Sequence, residues 1–176
     1  VSLPAVAPGD MARRQQTAAE LAGRLKLAVL AQVQEIALRP EFDAEARAAA
    51  ARALAVLDRE TAAKMLSPAL TNTAQPMVLR VGIGEALIAT DSPQARGQVL
   101  VAMKSAPHRV QLRWAQALAA NAAGAEAFLQ AVEAGNTTPS LLQSRAVKDR
   151  LLAAKPADAA ARIEKLTQGL APADLT

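Results

Sequence analysis

The stretch RVGIGEALIATD, Arg80 to Asp91, decides the fold. Its two glycines, Gly82 and Gly84, could belong to a turn that cradles phosphate or to the inside of a packed helix. A dinucleotide loop of that spacing asks for a third glycine at position 87, which is Leu87, and for a strand ahead of it. The preceding SPALTNTAQP (67–76) reads as a turn, and no Gly-Lys-Ser/Thr follows. Both glycines are therefore expected inside a helix from Met77 to Thr90. There they admit a close neighbour and cost about 1 kcal/mol of helix propensity each.

The composition agrees with helices. Of 176 residues, 52% are hydrophobic but only 2% aromatic, so alanine, leucine and valine must supply the core. Alanine and leucine lose little on entering a helix. The absence of cysteine excludes disulfides, thiolate metal sites, a cysteine nucleophile and covalent c-type haem attachment within these residues. With His108 the only histidine, neither a histidine-based triad nor a His-rich metal site can be assembled. The carboxylate pairs Glu41/Asp43 and Asp58/Glu60 fall at turns and helix ends, where capping explains them. No enzyme class has its minimum set of groups. No catalytic, cofactor-binding or metal residue is assigned, and the chain is expected to be non-enzymatic, with no cofactor. No apolar run reaches the roughly 18 residues of a membrane span. The opening VSLPAVAPGD has neither a basic start nor an initiator methionine, and the chain is expected to be a piece of a longer protein.

Proline and glycine clusters punctuate a helical periodicity throughout. Met11 to Leu38 reads as one long stretch bent at Gly23, with Leu21, Leu25, Val29, Val33 and Ile36 or Ala37 on one apolar stripe. Helices are then expected from Asp43 to Asp58 and from Arg59 to Leu66. Further helices should run from Met77 to Thr90, Pro93 to Lys104 and His108 to Asn121. Gly124–Ala134, Ser140–Ala153 and Ala157–Gln168 complete the set, the last stopped by Gly169.

Three of these helices repeat one another. Ala53-Leu54, Ala86-Leu87 and Ala117-Leu118 recur 33 and 31 residues apart. Six residues before each alanine stand Arg47, Arg80 and Gln111, preceded by Ala46, Leu79 and Val110. Four before each leucine stand Ala50, Ile83 and Trp114. Two helices per repeat of about this length read as an α-solenoid, in which each hairpin buries its apolar face on a neighbour. The apolar-Arg pair and the later Ala-Leu resemble the HEAT-repeat pattern. The expected fold is all-α: an α-α superhelix of about four hairpins plus a C-terminal helix, forming a single domain over residues 1–176.

The formal charge of +4 is spread along the chain except between Ser92 and Ala125, which hold no Asp or Glu. That stretch supplies the candidate interaction surface: Arg96, Lys104, His108, Arg109, Arg113 and Trp114. Trp114 fills the slot of Ala50 and Ile83, which suits a core anchor, whereas a binding hot spot would expose it. One Trp, two Phe and no Tyr provide almost no base-stacking platform, so no specific nucleic acid is expected.

The final stretch, AFLQAVEAGNTTPSLLQSRAVKDRLLAAKPADAAARIEKLTQGLAPAD (Ala127 to Asp174), resembles a more particular family. Its AVEAG turn, LLQSRAVKDRLLA helix and RIEKLTQGLAPAD segment are similar to the HEAT-like region of planctomycete and verrucomicrobial membrane-bound dehydrogenase-like, haem-binding proteins. The resemblance implies a bacterial, extracytoplasmic parent in which a propeller-type domain, this helical region and a cytochrome c domain follow one another. The chain's role would then be a scaffold linking those domains, with neighbouring domains or another protein as partner. The alternative is a freestanding adaptor that binds a protein or an anionic ligand through the Arg96–Arg113 stretch. The family's haem and sugar chemistry falls on no residue of this sequence.

Overall fold

A computed structural model describes residues 8–25 and 29–171. Among these the chain is all-α, with ten α-helices, one 3-10 helix and no strand. The chain divides into two compact units, one ending at Thr90 and the other beginning at Asp91.

The first unit holds α1 (Pro8–Leu25), α2 (Leu30–Leu38), α3 (Ala44–Leu57), α4 (Arg59–Thr71) and α5 (Met77–Ala89). At its centre is α3, which packs against the other four. The sequence makes α3 thin: Ala46, Ala48, Ala49, Ala50, Ala51, Ala53 and Ala55 are all buried. Such a helix can be approached on nearly every side. The larger groups come from its neighbours, where Leu66, Leu70, Leu79, Ile83 and Leu87 are fully buried with Leu54. Each contributes about 1.5–3 kcal/mol relative to exposure. Gly82 of α5 settles the opening ambiguity: a Cβ there would stand 2.5 Å from the Ala48 Cβ and 3.2 Å from its Cα. Gly82 and Gly84 are buried inside a helix, and Gly82 at least is the place where α5 meets α3.

The second unit holds α6 (Pro93–Met103), α7 (His108–Leu118), α8 (Ala122–Glu133), the 3-10 helix Pro139–Gln143, α9 (Arg145–Ala154) and α10 (Ala159–Thr167). Its core is built on Trp114 and Phe128, with Met103, Leu118, Leu129, Leu141 and Leu151 around them, all fully buried. A guanidinium closes it. Arg162 of α10 donates from Nε and Nη2 to the two oxygens of Glu133, at 2.6 and 2.9 Å, and from Nη1 to Glu126 at 2.8 Å. One side chain thereby ties α10 to two turns of α8. The forked geometry is the one in which an Arg–carboxylate pair gains most.

Caps mark the boundaries. The carboxylate of Asp43 accepts from the Glu45 N–H at 2.8 Å, and that of Asp58 accepts from the Thr61 N–H at 3.0 Å and from its hydroxyl at 2.6 Å. Those bonds hold the Asp58 carboxyl below its ordinary pKa. Asn121 caps α8 through the Gly124 N–H at 2.7 Å. Just past the end of α10, Gly169 takes the positive φ of 77° expected of a helix-stopping glycine.

Three boundaries differ from the sequence reading. The stretch Met11–Leu38 is two helices, with Gly23 inside α1 and Val29 outside helical geometry ahead of α2; residues 26–28 lie outside the described residues, as does the Leu25 side chain. Within the expected stripe Val33 and Ala37 are buried, but Leu21 is 51% exposed. The helix from Arg59 runs past Pro68 to Thr71, which shortens the turn to Asn72–Pro76. Losing the Pro68 N–H is outweighed there by full burial of Leu66 and Leu70 on either side of it. Finally, the segment Ser140–Ala153 is a 3-10 helix and then α9, broken at Ser144, whose φ and ψ are those of extended chain.

Candidate functional site

The repeat slots found in the sequence have one structural job. Arg47 of α3 donates from Nε to the Ala37 carbonyl at 3.4 Å and from Nη2 to that of Leu38 at 3.5 Å, at the end of α2. Arg80 of α5 donates from Nε to the Leu70 carbonyl at 3.3 Å, at the end of α4. Gln111 of α7 donates from Nε2 to the Met103 carbonyl at 2.7 Å, at the end of α6. The last carbonyls of a helix lack intrahelical donors. In all three places a side chain one turn into the following repeat helix supplies one. Burial draws the Arg47 guanidinium below its ordinary pKa, partly offset by Glu41. The apolar slots beside them, Ala50, Ile83 and Trp114, are fully buried.

The six candidate surface residues part company. Trp114 is fully buried in the core of the second unit, so its slot in the repeat decides its role. Arg96 is only 9% exposed and turns back on Asp91, donating to the carbonyl at 3.0 Å and to the carboxylate. Asp91 has a φ of 55°, in the left-handed region that non-glycine residues seldom occupy, and Arg96 holds it there. Lys104 caps the C-terminal end of α6 and is exposed. His108 and Arg109 open α7, Arg113 lies one turn further on, and all three are exposed. Four of the six therefore remain at the surface.

The structure adds a groove that the charge pattern did not reveal. Both α6 and α8 pack against α7, and a groove of about 490 Å³ opens between them. On α6 and its C-cap the wall runs through Pro93, Gly97, Leu100, Val101 and Lys104, and on α8 and just beyond it through Ala127, Gln130, Ala131, Ala134 and Asn136. Val101 is 63% exposed, and a Cβ on Gly97 would meet nothing within 4 Å. The spacing of Gly97, Val101 and Lys104 was a usable signal in the sequence. It lay hidden because the buried face of α6 is apolar as well, which erases a simple one-sided pattern.

Among the described residues no three His, Asp or Glu side chains gather as a metal site, and no helix is long and apolar enough to cross a membrane. No protein-family model, curated protein or solved structure matches this chain.

Proposed function

We propose that the chain is a non-catalytic helical-repeat scaffold whose task is to hold protein surfaces in place. The observation that carries this reading is the recurrence of one capping contact at Arg47, Arg80 and Gln111. Polar side chains that could have served chemistry are spent on joining each repeat helix to its predecessor. The resemblance of Ala127–Asp174 gives the scaffold its setting: between a propeller-type dehydrogenase-like domain and a cytochrome c domain of an extracytoplasmic parent. A freestanding adaptor is the second reading, favoured by the groove of the second unit and by the exposed Lys104, His108, Arg109 and Arg113.

The test is a haem stain and visible spectrum of the full gene product, made in a host that attaches haem. The linking role predicts c-type haem absorbance in that product and none in the 176-residue chain, which has no cysteine. A haem-free full product overturns the linking role and leaves the adaptor.

A further inference from the structure

From the walls of the α6/α8 groove we infer that it receives one amphipathic helix of a protein partner, with an acidic side chain directed at Lys104. The inference rests on the scaffold reading for the kind of partner, and it goes on to name the site and the chemistry that fits it.

The shape argues for a helix. Gly97, Leu100, Val101 and Lys104 recur at helical spacing along one face of α6, and Ala127, Ala131 and Ala134 do so along α8. Two such faces side by side are two-thirds of a three-helix packing, in which a third helix sets its apolar side chains between them. The small residues make room for it. Gly97 lets its backbone come close, and the three alanines form a shallow floor. Val101, at 63% exposure the most exposed of the large apolar residues described, would be covered. α6 is 11 residues long, about 16 Å at the helical rise, which corresponds to three turns of a partner. An added strand would need an open sheet edge, and the described residues contain no strand. A small polar ligand would find mainly Lys104 and the Asn136 amide to bind. The amide of Gln130 already donates to Glu126, at 2.9 Å, and the wall carries no aromatic side chain.

The charge argues for acid on that helix. The groove wall contains Arg96 and Lys104 and no carboxylate. The nearby acids are already engaged: Asp91 holds Arg96, while Glu126 and Glu133 are drawn to Arg162 of α10. Lys104 is thus the cation that an incoming carboxylate would meet. An exposed pair of this kind directs the choice of partner more than it adds affinity.

Three fluorescein-labelled 15-residue peptides test the assignment by anisotropy. The first is helical with leucines at i, i+3, i+4 and i+7 and glutamates flanking them. The second has lysines in place of the glutamates, and the third is the acidic peptide broken by a central proline. The inference predicts that the acidic helix binds about two- to fivefold more tightly than the basic one and at least about tenfold more tightly than the broken one. Lys104→Glu should reverse the preference of sign. Gly97→Leu, whose side chain enters open groove, should abolish binding and leave the melting temperature unchanged or raised. Equal binding of acidic and basic helices, binding that survives Gly97→Leu, or no binding at all would overturn it. So would self-association of the chain that Gly97→Leu abolishes in sedimentation, because the groove would then belong to a second copy. Failure here with a haem-bearing full product leaves the linking role intact, and success with a haem-free one removes only that role.

Discussion

The Nε of Arg80 donates to the carbonyl oxygen of Leu70, ten residues upstream, at 3.3 Å, and Arg47 stands in the same relation to Ala37 at 3.4 Å. The two arginines are 33 residues apart in a chain with few polar side chains in its core. A buried carbonyl without a donor costs about 1–3 kcal/mol, so each arginine does more than neutral packing would. The contact also fixes how a repeat helix leaves its predecessor, and Arg47 donates in addition from Nη1 to the Gln75 Oε1 at 3.3 Å. Packing and helix capping are thereby joined in one residue.

The glycines of α5 and α6 should answer alanine in opposite directions. Gly82→Ala places a methyl 2.5 Å from the Ala48 Cβ, and two helix backbones must part to admit it. That strain, about 1–3 kcal/mol for overpacking, exceeds the gain of about 1 kcal/mol in propensity. Gly97→Ala meets nothing within 4 Å and keeps the gain. Urea denaturation should show the first variant less stable than wild type and the second more stable. Stabilisation by both would mean that α3 and α5 are not in contact at Gly82.

Leu87→Asp should unfold the first unit, since Leu87 is fully buried and an unpaired carboxylate would have no partner there. Arg96→Ala is a different matter. The sequence alone marks Arg96 as a surface cation, so its removal would be harmless. With Arg96 9% exposed and bonded to both the carbonyl and the carboxylate of Asp91, its loss is expected to cost about 1–2 kcal/mol. Asp91→Gly in that background should recover part of the loss, because glycine accepts the positive φ without help. Thermal melts of the single and double variants check both statements, and a full-strength Arg96→Ala protein would contradict the second.

Acid should loosen α10 through Glu133. The hydrogen bonds from Arg162, followed by its charge, hold the Glu133 carboxyl below its ordinary pKa. A carboxyl whose folded pKa is depressed contributes stability that is fully present above its unfolded value, about 4.3, and is lost as the pH falls through the folded one. Arg162 itself is shifted upward by Glu133 and Glu126, so it stays charged across the acid range. The Glu133 side chain is 40% exposed, and solvent screening keeps the effect modest. Wild type should lose more stability between pH 6 and pH 3 than Arg162→Ala does. Equal acid sensitivity would show that the pair adds nothing.

Most of the architecture was legible because it depends on local signals. Asp43, Asp58 and Gly169 mark helix ends by chemistry that acts within one turn. The repeated slots at Ala50, Ile83 and Trp114 identified core positions because equivalent places in a repeat share their surroundings. What escaped was decided at a distance. Pro68 reads as a helix stop until the burial of Leu66 and Leu70 is known, and Leu21 reads as core until its side of α1 is seen to face solvent. Arg96 and Lys104 look alike in sequence, yet only Arg96 has Asp91 five residues behind it to turn towards. The groove depends on two helices separated by α7, and no single stretch of sequence encodes it.

The central claim is that positions 47, 80 and 111 are one slot of a helical repeat, with one job. Exchange at the odd member tests it most directly: Gln111→Arg and Gln111→Leu, compared by urea denaturation with Arg80→Leu and with Arg109→Leu at an exposed site. The account predicts that arginine at 111 keeps stability within about 0.5 kcal/mol, as a donor still reaches the end of α6. Leucine at 80 should cost about 1–3 kcal/mol by stranding the Leu70 carbonyl; leucine at 111 should cost less, about 0.5–1.5 kcal/mol, because the Met103 carbonyl keeps the Ala106 N–H at 3.2 Å, and Arg109→Leu should change little. If Gln111→Arg destabilises as much as Gln111→Leu, or if both leucine variants melt like wild type, the three positions are not equivalent and the repeat is a coincidence of composition.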